Sequence, residues 1–225
     1  MKKAVILLSG GLDSAVTLYL VKSLKFKCFC LIFNYGQRHK KEVDCAKNLA
    51  RLTNSVYFVL DIYLPWGGSV LLDKNKPLPK DLDLKKRGKR IPDTYVPARN
   101  ILFLSYALSF AEAKGAKDIF IGANAIDYSG YPDCRPGFIK QFNKLAEIGT
   151  KSGASGAGIR IHAPLINKTK AEIVKLGCKL KVPFEVTWSC YAGQKHPCGR
   201  CDSCRFRRRG FREAGIKDPL VKNQH

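Results

Sequence analysis

Lys3 to Leu8 is a continuous apolar run of strand length, as expected of a strand buried on both faces; Lys27 to Phe33 is a second apolar run, and Ser55 to Leu60 reads as a third strand. Between them the period changes to that of a helix. Ser14 to Leu24 carries apolar residues at Ala15, Leu18 and Val21, and Lys40 to Leu52 puts Val43, Ala46, Leu49 and Ala50 on one face. This strand-helix-strand-helix-strand order predicts a parallel sheet with right-handed crossovers. Further on, Arg99 to Lys114 predicts an apolar helix stopped by Gly115, Asp118 to Ile121 a fourth strand, Phe138 to Ile148 a helix and Ile159 to Leu165 a last strand. Thr169-Lys170-Ala171-Glu172 fits a capping box, opening a helix that ends near Gly177. Three stretches interrupt the alternation. Asp61 to Pro97 is expected to be a long excursion at the carboxyl edge of the sheet, where open α/β sheets bind ligands. Gly122 to Gly137 reads as a loop, and Lys151 to Gly158 as a flexible Gly/Ser/Ala linker. The pattern predicts an α/β fold with an open, mostly parallel sheet flanked by helices. A nucleotide-binding α/β domain is expected over 1–165, and a helical segment over 166–225.

Length and composition change this picture little. A chain of 225 residues, 45% hydrophobic, can bury one sizeable core. No apolar run approaches the roughly 18 residues of a membrane span. The basic start Met1-Lys2-Lys3 and the run Ala4 to Leu8 resemble a secretory leader, but five residues are too few; a cytoplasmic protein with no membrane partner is expected. The net charge of +22 can attract polyanions. It is spread along the chain, clustering only at Lys85-Lys86-Arg87-Gly88-Lys89-Arg90 and at Arg205 to Arg209, so it names no substrate.

Chemistry enters at Ser9-Gly10-Gly11-Leu12-Asp13-Ser14, between the first strand and the first helix. A helix N-terminus presents unpaired N–H groups and partial positive charge to a phosphate. Two glycines let the backbone turn tightly beside the anion, and Ser9 and Ser14 add hydroxyls. A carboxylate beside a phosphate repels it unless a Mg²⁺ lies between, so Asp13 reads as a metal contact. Neither the P-loop string G-x-x-x-x-G-K followed by Ser or Thr nor the dinucleotide string G-x-G-x-x-G occurs at this position.

Of nine cysteines, Cys28, Cys30, Cys45, Cys134 and Cys178 are scattered, as small buried hydrophobes often are. Cys190, Cys198, Cys201 and Cys204 crowd into fifteen residues with two C-x-x-C steps sharing Cys201. Four thiolates satisfy tetrahedral Zn²⁺ in a closed, structural site, with Arg200 and Arg205 offsetting the charge. Cys₄ also serves an iron–sulfur cluster. The absence of a redox motif favours zinc.

The loop at residues 9–14 resembles the signature of the PP-loop ATP pyrophosphatase superfamily, which implies an adenine nucleotide alpha hydrolase-like sheet and cleavage of ATP between its α- and β-phosphates. Together with Phe33-Asn34-Tyr35-Gly36-Gln37-Arg38-His39, Val96-Pro97-Ala98-Arg99-Asn100 and the four-cysteine cluster, the chain resembles the 7-cyano-7-deazaguanine synthase family over nearly its whole length. The resemblance implies an ATP-dependent carbon–nitrogen ligase. Such an enzyme takes 7-carboxy-7-deazaguanine and ammonia to the nitrile preQ0 for queuosine or archaeosine, by adenylating first the carboxylate and then the amide oxygen. Ammonia is expected to come free, because Lys2 follows Met1 and no residues are spare for a glutaminase. The implied partners are ATP with Mg²⁺, the deazaguanine acid and ammonia. Nucleic acid is not required, and a homodimer is compatible with the sequence.

Residue roles follow from these readings. Leu8 through Leu18 (Leu8, Ser9, Gly10, Gly11, Leu12, Asp13, Ser14, Ala15, Val16, Thr17, Leu18) and Asn34, Tyr35, Gly36, Gln37 and Arg38 are expected to hold the nucleotide. Asp13, Ser14, Arg99 and Lys168 are the candidate catalytic groups. Lys168 matches the lysine that related PP-loop synthetases place on phosphate. Asn100, Asp127, Tyr128, Tyr131, Asp133 and Arg135 are expected to bind the purine-like base by stacking and edge hydrogen bonds. Plainer roles compete: a polar turn at 34–38, a surface salt bridge at Arg99, a solvated Lys168. His39 and His196 read as structural. Two rivals use parts of the same pattern. A PP-loop tRNA thiolase or lysidine synthetase would share the loop and explain the positive charge, although thiolases usually show lysine where Leu12 stands and need catalytic cysteines that are not fully ligated by zinc. A zinc-stabilised nucleic-acid-binding module would need neither the loop nor the α/β core.

Overall fold

In a computed structural model, residues 1–81, 91–126 and 130–221 are described. The strands are β1 (Lys3–Leu7), β2 (Lys27–Asn34), β3 (Val56–Asp61), β4 (Asp118–Ile121) and β5 (Arg160–His162). The helices are α1 (Leu12–Ser23), α2 (Lys41–Leu52), α3 (Arg99–Lys114), α4 (Pro136–Gly149), α5 (Lys151–Ala154), α6 (Lys170–Lys179) and α7 (Asp202–Ala214). The strands pair in the order β3-β2-β1-β4-β5, and every pair is parallel, as the alternating pattern requires. β1 lies in the middle, with Ala4 beside Cys28 on one flank and Asp118 on the other.

The two-residue period of β1 divides the core. Ala4, Ile6 and Leu8 pack on α1, α2 and α6, with Phe184 and Phe211 in the same cluster. Val5 and Leu7 face the opposite way, onto α3 and α4, among Leu104, Leu108, Ile139 and Phe142. Both faces of the central strands β1 and β2 are covered, so those strands are apolar nearly throughout, whereas the edge strand β3 leaves Val56 and Phe58 exposed. Each aliphatic side chain taken fully out of water here contributes about 1.5–3 kcal/mol. The chain moves from one face of the sheet to the other between α2 and α3. The loops after β1 and β4 therefore diverge at the carboxyl ends of adjacent strands and leave a crevice.

Two expectations need correction. Lys151 to Gly158 is not a free linker: Thr150 caps the short helix α5 by accepting from Gly153 N, and Ser152 N donates to Glu112 on α3. The last strand spans only Arg160–His162, because Asn143 on α4 occupies the Ile161 N–H and C=O, and Pro164 follows soon after. The capping box forms as expected, with Thr169 and Glu172 bonding reciprocally. The excursion after β3 is turns and extended chain where described, and its basic cluster 85–90 lies outside the described residues. No helix among the described residues is long and apolar enough to cross a membrane.

Candidate active site

The loop from Ser9 to Gly11 enters α1 with Gly11 as an extended N-cap, and no side chain caps the helix. Its first N–H groups therefore open toward the crevice. The loop is tied to itself: Ser14 Oγ accepts from Ser9 N at 3.2 Å and donates to Gly11 O at 3.0 Å. Two glycines allow this path. Gly10 has φ +79°, and a Cβ there would lie 2.1 Å from Glu42 O on α2. A Cβ on Gly122, after β4, would lie 2.9 Å from Ser14 N. The crevice floor is thus backbone packed on backbone, which is what close approach to a phosphate needs.

Asp13, in the first turn of α1, meets Lys170. The ammonium donates to both carboxylate oxygens, at 2.8 and 2.7 Å, and Lys170 is only 4% exposed. The sequence reading expected Lys168 in that place. Lys168 precedes the Thr169 N-cap, stays half-buried and does not line the crevice among the described residues. Lys170 is the first residue of α6, and helical geometry turns its side chain back over the N-terminal end toward α1.

On the opposite wall, Ala98 takes a left-handed conformation at φ +54° immediately before α3, with its N–H donating to Tyr95 Oη at 3.0 Å. Such a conformation in a non-glycine residue costs about 1 kcal/mol or more. Here it aims Arg99 and Asn100 into the crevice. Arg99 donates to Tyr35 Oη at 3.1 Å. Burial disfavours its charge, but Tyr35 and Asp133 outweigh that and hold it firmly protonated. Asp133 accepts from Asn100 N at 3.0 Å, and desolvation pushes its carboxyl above the ordinary range. Tyr131 bonds Thr94 at 2.5 Å. Phe33 stacks on Phe103 at 4.0 Å between centroids. The result is a cleft of about 220 Å³ with phosphate-type donors at one end and aromatic walls at the other.

The four clustered cysteines converge: their Sγ atoms all lie within 4.8 Å of one another, and Cys198 and Cys204 are 4.0 Å apart. Tetrahedral zinc with Zn–S near 2.3 Å spaces sulfurs by about 3.8 Å, so the residues fit that ion. The ligand loop is built into the cleft. Trp188 N donates to Gly10 O at 2.9 Å, and Trp188 Nε1 to Cys190 O at 2.8 Å. His39 Nε2 also contacts Cys190 O at 2.8 Å, and Lys41 reaches Gln194 O. Burial holds His39 below its ordinary pKa, in keeping with a structural role. α7 follows with Phe206 and Phe211 buried. Arg207, from the second basic cluster, is buried too, in a bidentate pair with Asp218 at 2.8 and 2.9 Å.

Among the residues singled out from sequence, Leu8, Ser9, Gly11, Leu12, Asp13, Ser14, Tyr35, Gln37, Arg99, Asn100 and Tyr131 line the cleft. Gly10 and Asp133 support it from behind. Ala15, Val16, Thr17 and Leu18 are buried under α1 instead, as the core face of that helix. Asn34 turns to Asp61, Gly36 is exposed, and Arg38 donates to the carbonyls of Lys74 and Lys76. Arg135 is exposed at the N-cap of α4. Asp127 and Tyr128 lie outside the described residues. Sequence reasoning missed Glu42, Thr94, Cys134, Lys170 and Trp188 in the lining. Of these, only Lys170 carried a local signal, as the residue after a helix N-cap.

The family model described as Queuosine biosynthesis protein QueC matches residues 3–215. The chain is similar to the 7-cyano-7-deazaguanine synthase of Trichodesmium erythraeum, 50% identical over 97% of this chain and 100% of the relative. It is equally similar to the 7-cyano-7-deazaguanine synthase of Clostridium kluyveri, 50% identical over 98% of this chain and 97% of the relative. Among solved structures, NMN synthetase from Francisella tularensis shares the fold, with TM-score 0.51 and 18% identity over 96% of this chain and 78% of that one.

Proposed function

The chain belongs to the QueC family of queuosine biosynthesis proteins, and on that premise we propose that the cleft described above adenylates one small acid twice. It is an ATP-dependent synthase of 7-cyano-7-deazaguanine from 7-carboxy-7-deazaguanine and ammonia. In the reading proposed here, each round releases AMP and pyrophosphate. The first round makes an amide of the carboxylate, and the second makes a nitrile of the amide. The chemistry needs this: a carboxylate or amide oxygen is a poor leaving group, and AMP is a good one.

The open N–H groups of α1 and the Ser9 hydroxyl would hold pyrophosphate, and Lys170 would bring fixed positive charge to the same point. Asp13 would hold the Mg²⁺ that arrives with ATP, and that ion supplies charge neutralisation at the phosphates. Tyr35 and Tyr131 would flank the heterocycle, with Arg99 fixing Tyr35. Cys190, Cys198, Cys201 and Cys204 would hold a structural zinc, leaving no open position for a catalytic water. The observation carrying this reading is that Asp13 and Lys170 meet at the N-terminus of α1, within one cleft, in a chain half-identical end to end to named synthases.

The test is pyrophosphate release by purified protein with ATP, Mg²⁺, ammonium and the deazaguanine acid, with the nitrile identified by mass. The acid should suffice, without RNA or glutamine. Stimulation by tRNA and not by the acid would transfer the protein to the tRNA-modifying enzymes.

A further inference from the structure

The reaction just described must dispose of protons. Ammonia brings three hydrogens to the substrate carbon, and a nitrile keeps none. The cleft should contain a group able to accept them. Among the described residues lining it, most ionisable groups are engaged. Asp13 is bonded to Lys170. Tyr35 accepts from Arg99, and Tyr131 bonds Thr94. Burial pushes the Cys134 thiol up to about 12, too high to serve. Asp133, behind the wall, is occupied by Asn100 N.

Glu42 differs. It lies in the first turn of α2, where its backbone carbonyl packs against Gly10 of the phosphate loop, and it lines the cleft. Its carboxyl makes no hydrogen bond or ion pair among the described residues. The groups within electrostatic reach are Arg99 on α3, Tyr35 after β2, Cys190 in the cysteine loop and Cys45 one turn along α2. An unpaired carboxyl beside the phosphate loop and within electrostatic reach of the Arg99 guanidinium faces the same cleft in which the proposed reaction would take place.

We propose that Glu42 is the proton acceptor for the nitrogen chemistry of this cleft, an assignment that rests on the two-round reaction above. In the first round the ammonia lone pair forms the C–N bond at the adenylated carboxyl carbon. An N–H proton passes to Glu42, and the C–O bond to AMP breaks with its electrons leaving on AMP. In the second round the amide oxygen displaces pyrophosphate from ATP. One N–H proton of the adenylated amide then goes to Glu42 and on to water. The second N–H proton passes to the Glu42 carboxylate so freed, its electron pair becoming the third C–N bond while the C–O bond to AMP breaks with its electrons leaving on AMP. Desolvation raises the Glu42 carboxyl from 4.5 to about 7, with Arg99 opposing the rise, and a base poised near neutrality suits repeated uptake and release.

Turnover should be measured against pH with acid and ATP saturating and free ammonia held saturating at every pH. For the wild type, turnover should rise through a limb near pH 7. Glu42→Gln should lower turnover about 100-fold, keep the KM values within about threefold and abolish the limb. Glu42→Asp should retain the limb and lose about tenfold in turnover. The proposal is overturned if folded Glu42→Gln keeps its turnover and limb, which would leave Glu42 as a charge balance for Arg99. It is overturned equally if KM rises at constant turnover, which would make Glu42 a substrate-holding group. Should Glu42→Gln not fold, Glu42→Asp decides, and wild-type turnover in it counts against the proposal. A wild-type protein that makes no nitrile would sink the underlying reaction instead, and the same assay shows this before any variant is made.

Discussion

Lys170 Nζ donates to both carboxylate oxygens of Asp13, at 2.8 and 2.7 Å, joining the start of α6 to the start of α1. The pair places a cation where ATP phosphates would arrive. Lys170→Met should lower acid-dependent pyrophosphate release by about 100-fold or more, as loss of one preorganised charge at a transferring phosphate does. Lys168→Met should cost far less, because that side chain is half-buried outside the cleft lining. Equal losses in the two variants would refute the placement.

Asp13→Asn retains an acceptor for Lys170 and removes the charge a Mg²⁺ requires. It should fold with a modest drop in melting temperature, and pyrophosphate release should fall by about two orders of magnitude at saturating Mg²⁺. Wild-type turnover in the folded variant would exclude Asp13 as the metal contact.

Gly10→Ala meets two obstacles at once. Its φ of +79° disfavours a side chain, and the added Cβ would sit 2.1 Å from Glu42 O and 2.8 Å from Ala46 N. Both neighbours are backbone, so α2 must move. A destabilisation of about 2–4 kcal/mol is expected, read by denaturant unfolding, with weaker ATP binding.

Cys201→Ser should lose about one zinc per chain, measured by metal analysis, and lower the melting temperature sharply, because metal affinity in such a site is folding free energy. Cys28→Ser and Cys134→Ser should keep the metal, since neither belongs to the cluster. A metal-free Cys201→Ser protein with unchanged melting temperature would remove the structural role.

Glu42 also sets a sign for stability against pH. Its carboxyl is raised in the folded state from 4.5 to about 7, so the folded chain binds more protons than the unfolded chain between those values. Its contribution is therefore present below the lower value and lost as pH rises through the upper one. Glu42→Gln should flatten that part of the profile and stabilise the protein above neutrality, by on the order of 1 to 3 kcal/mol after discounting partial exposure. A steeper fall in the variant would contradict the shift.

The sequence by itself determined the features that are local or periodic. Apolar runs give strands, three-to-four spacing gives helices, and the Ser9 to Ser14 string names a phosphate loop because a helix N-terminus binds an anion wherever it occurs. Four cysteines within fifteen residues can reach one ion through short turns, so their meeting was legible before folding. The tertiary structure decided which distant residues share the cleft. Lys168 and Lys170 are indistinguishable as letters. Only the packing of α6 on α1 selects Lys170, because the capping box fixes which of them starts the helix and the helix fixes where its side chain points. Glu42 reads in sequence as an ordinary polar residue in the first turn of an amphipathic helix. It becomes an unpaired carboxyl in the cleft because Gly10 lets the phosphate loop rest on α2 and because Arg99 arrives from α3. Those outcomes depend on contacts between elements far apart in the chain, and electrostatic and steric fit between them leaves no periodic trace in the sequence of either one.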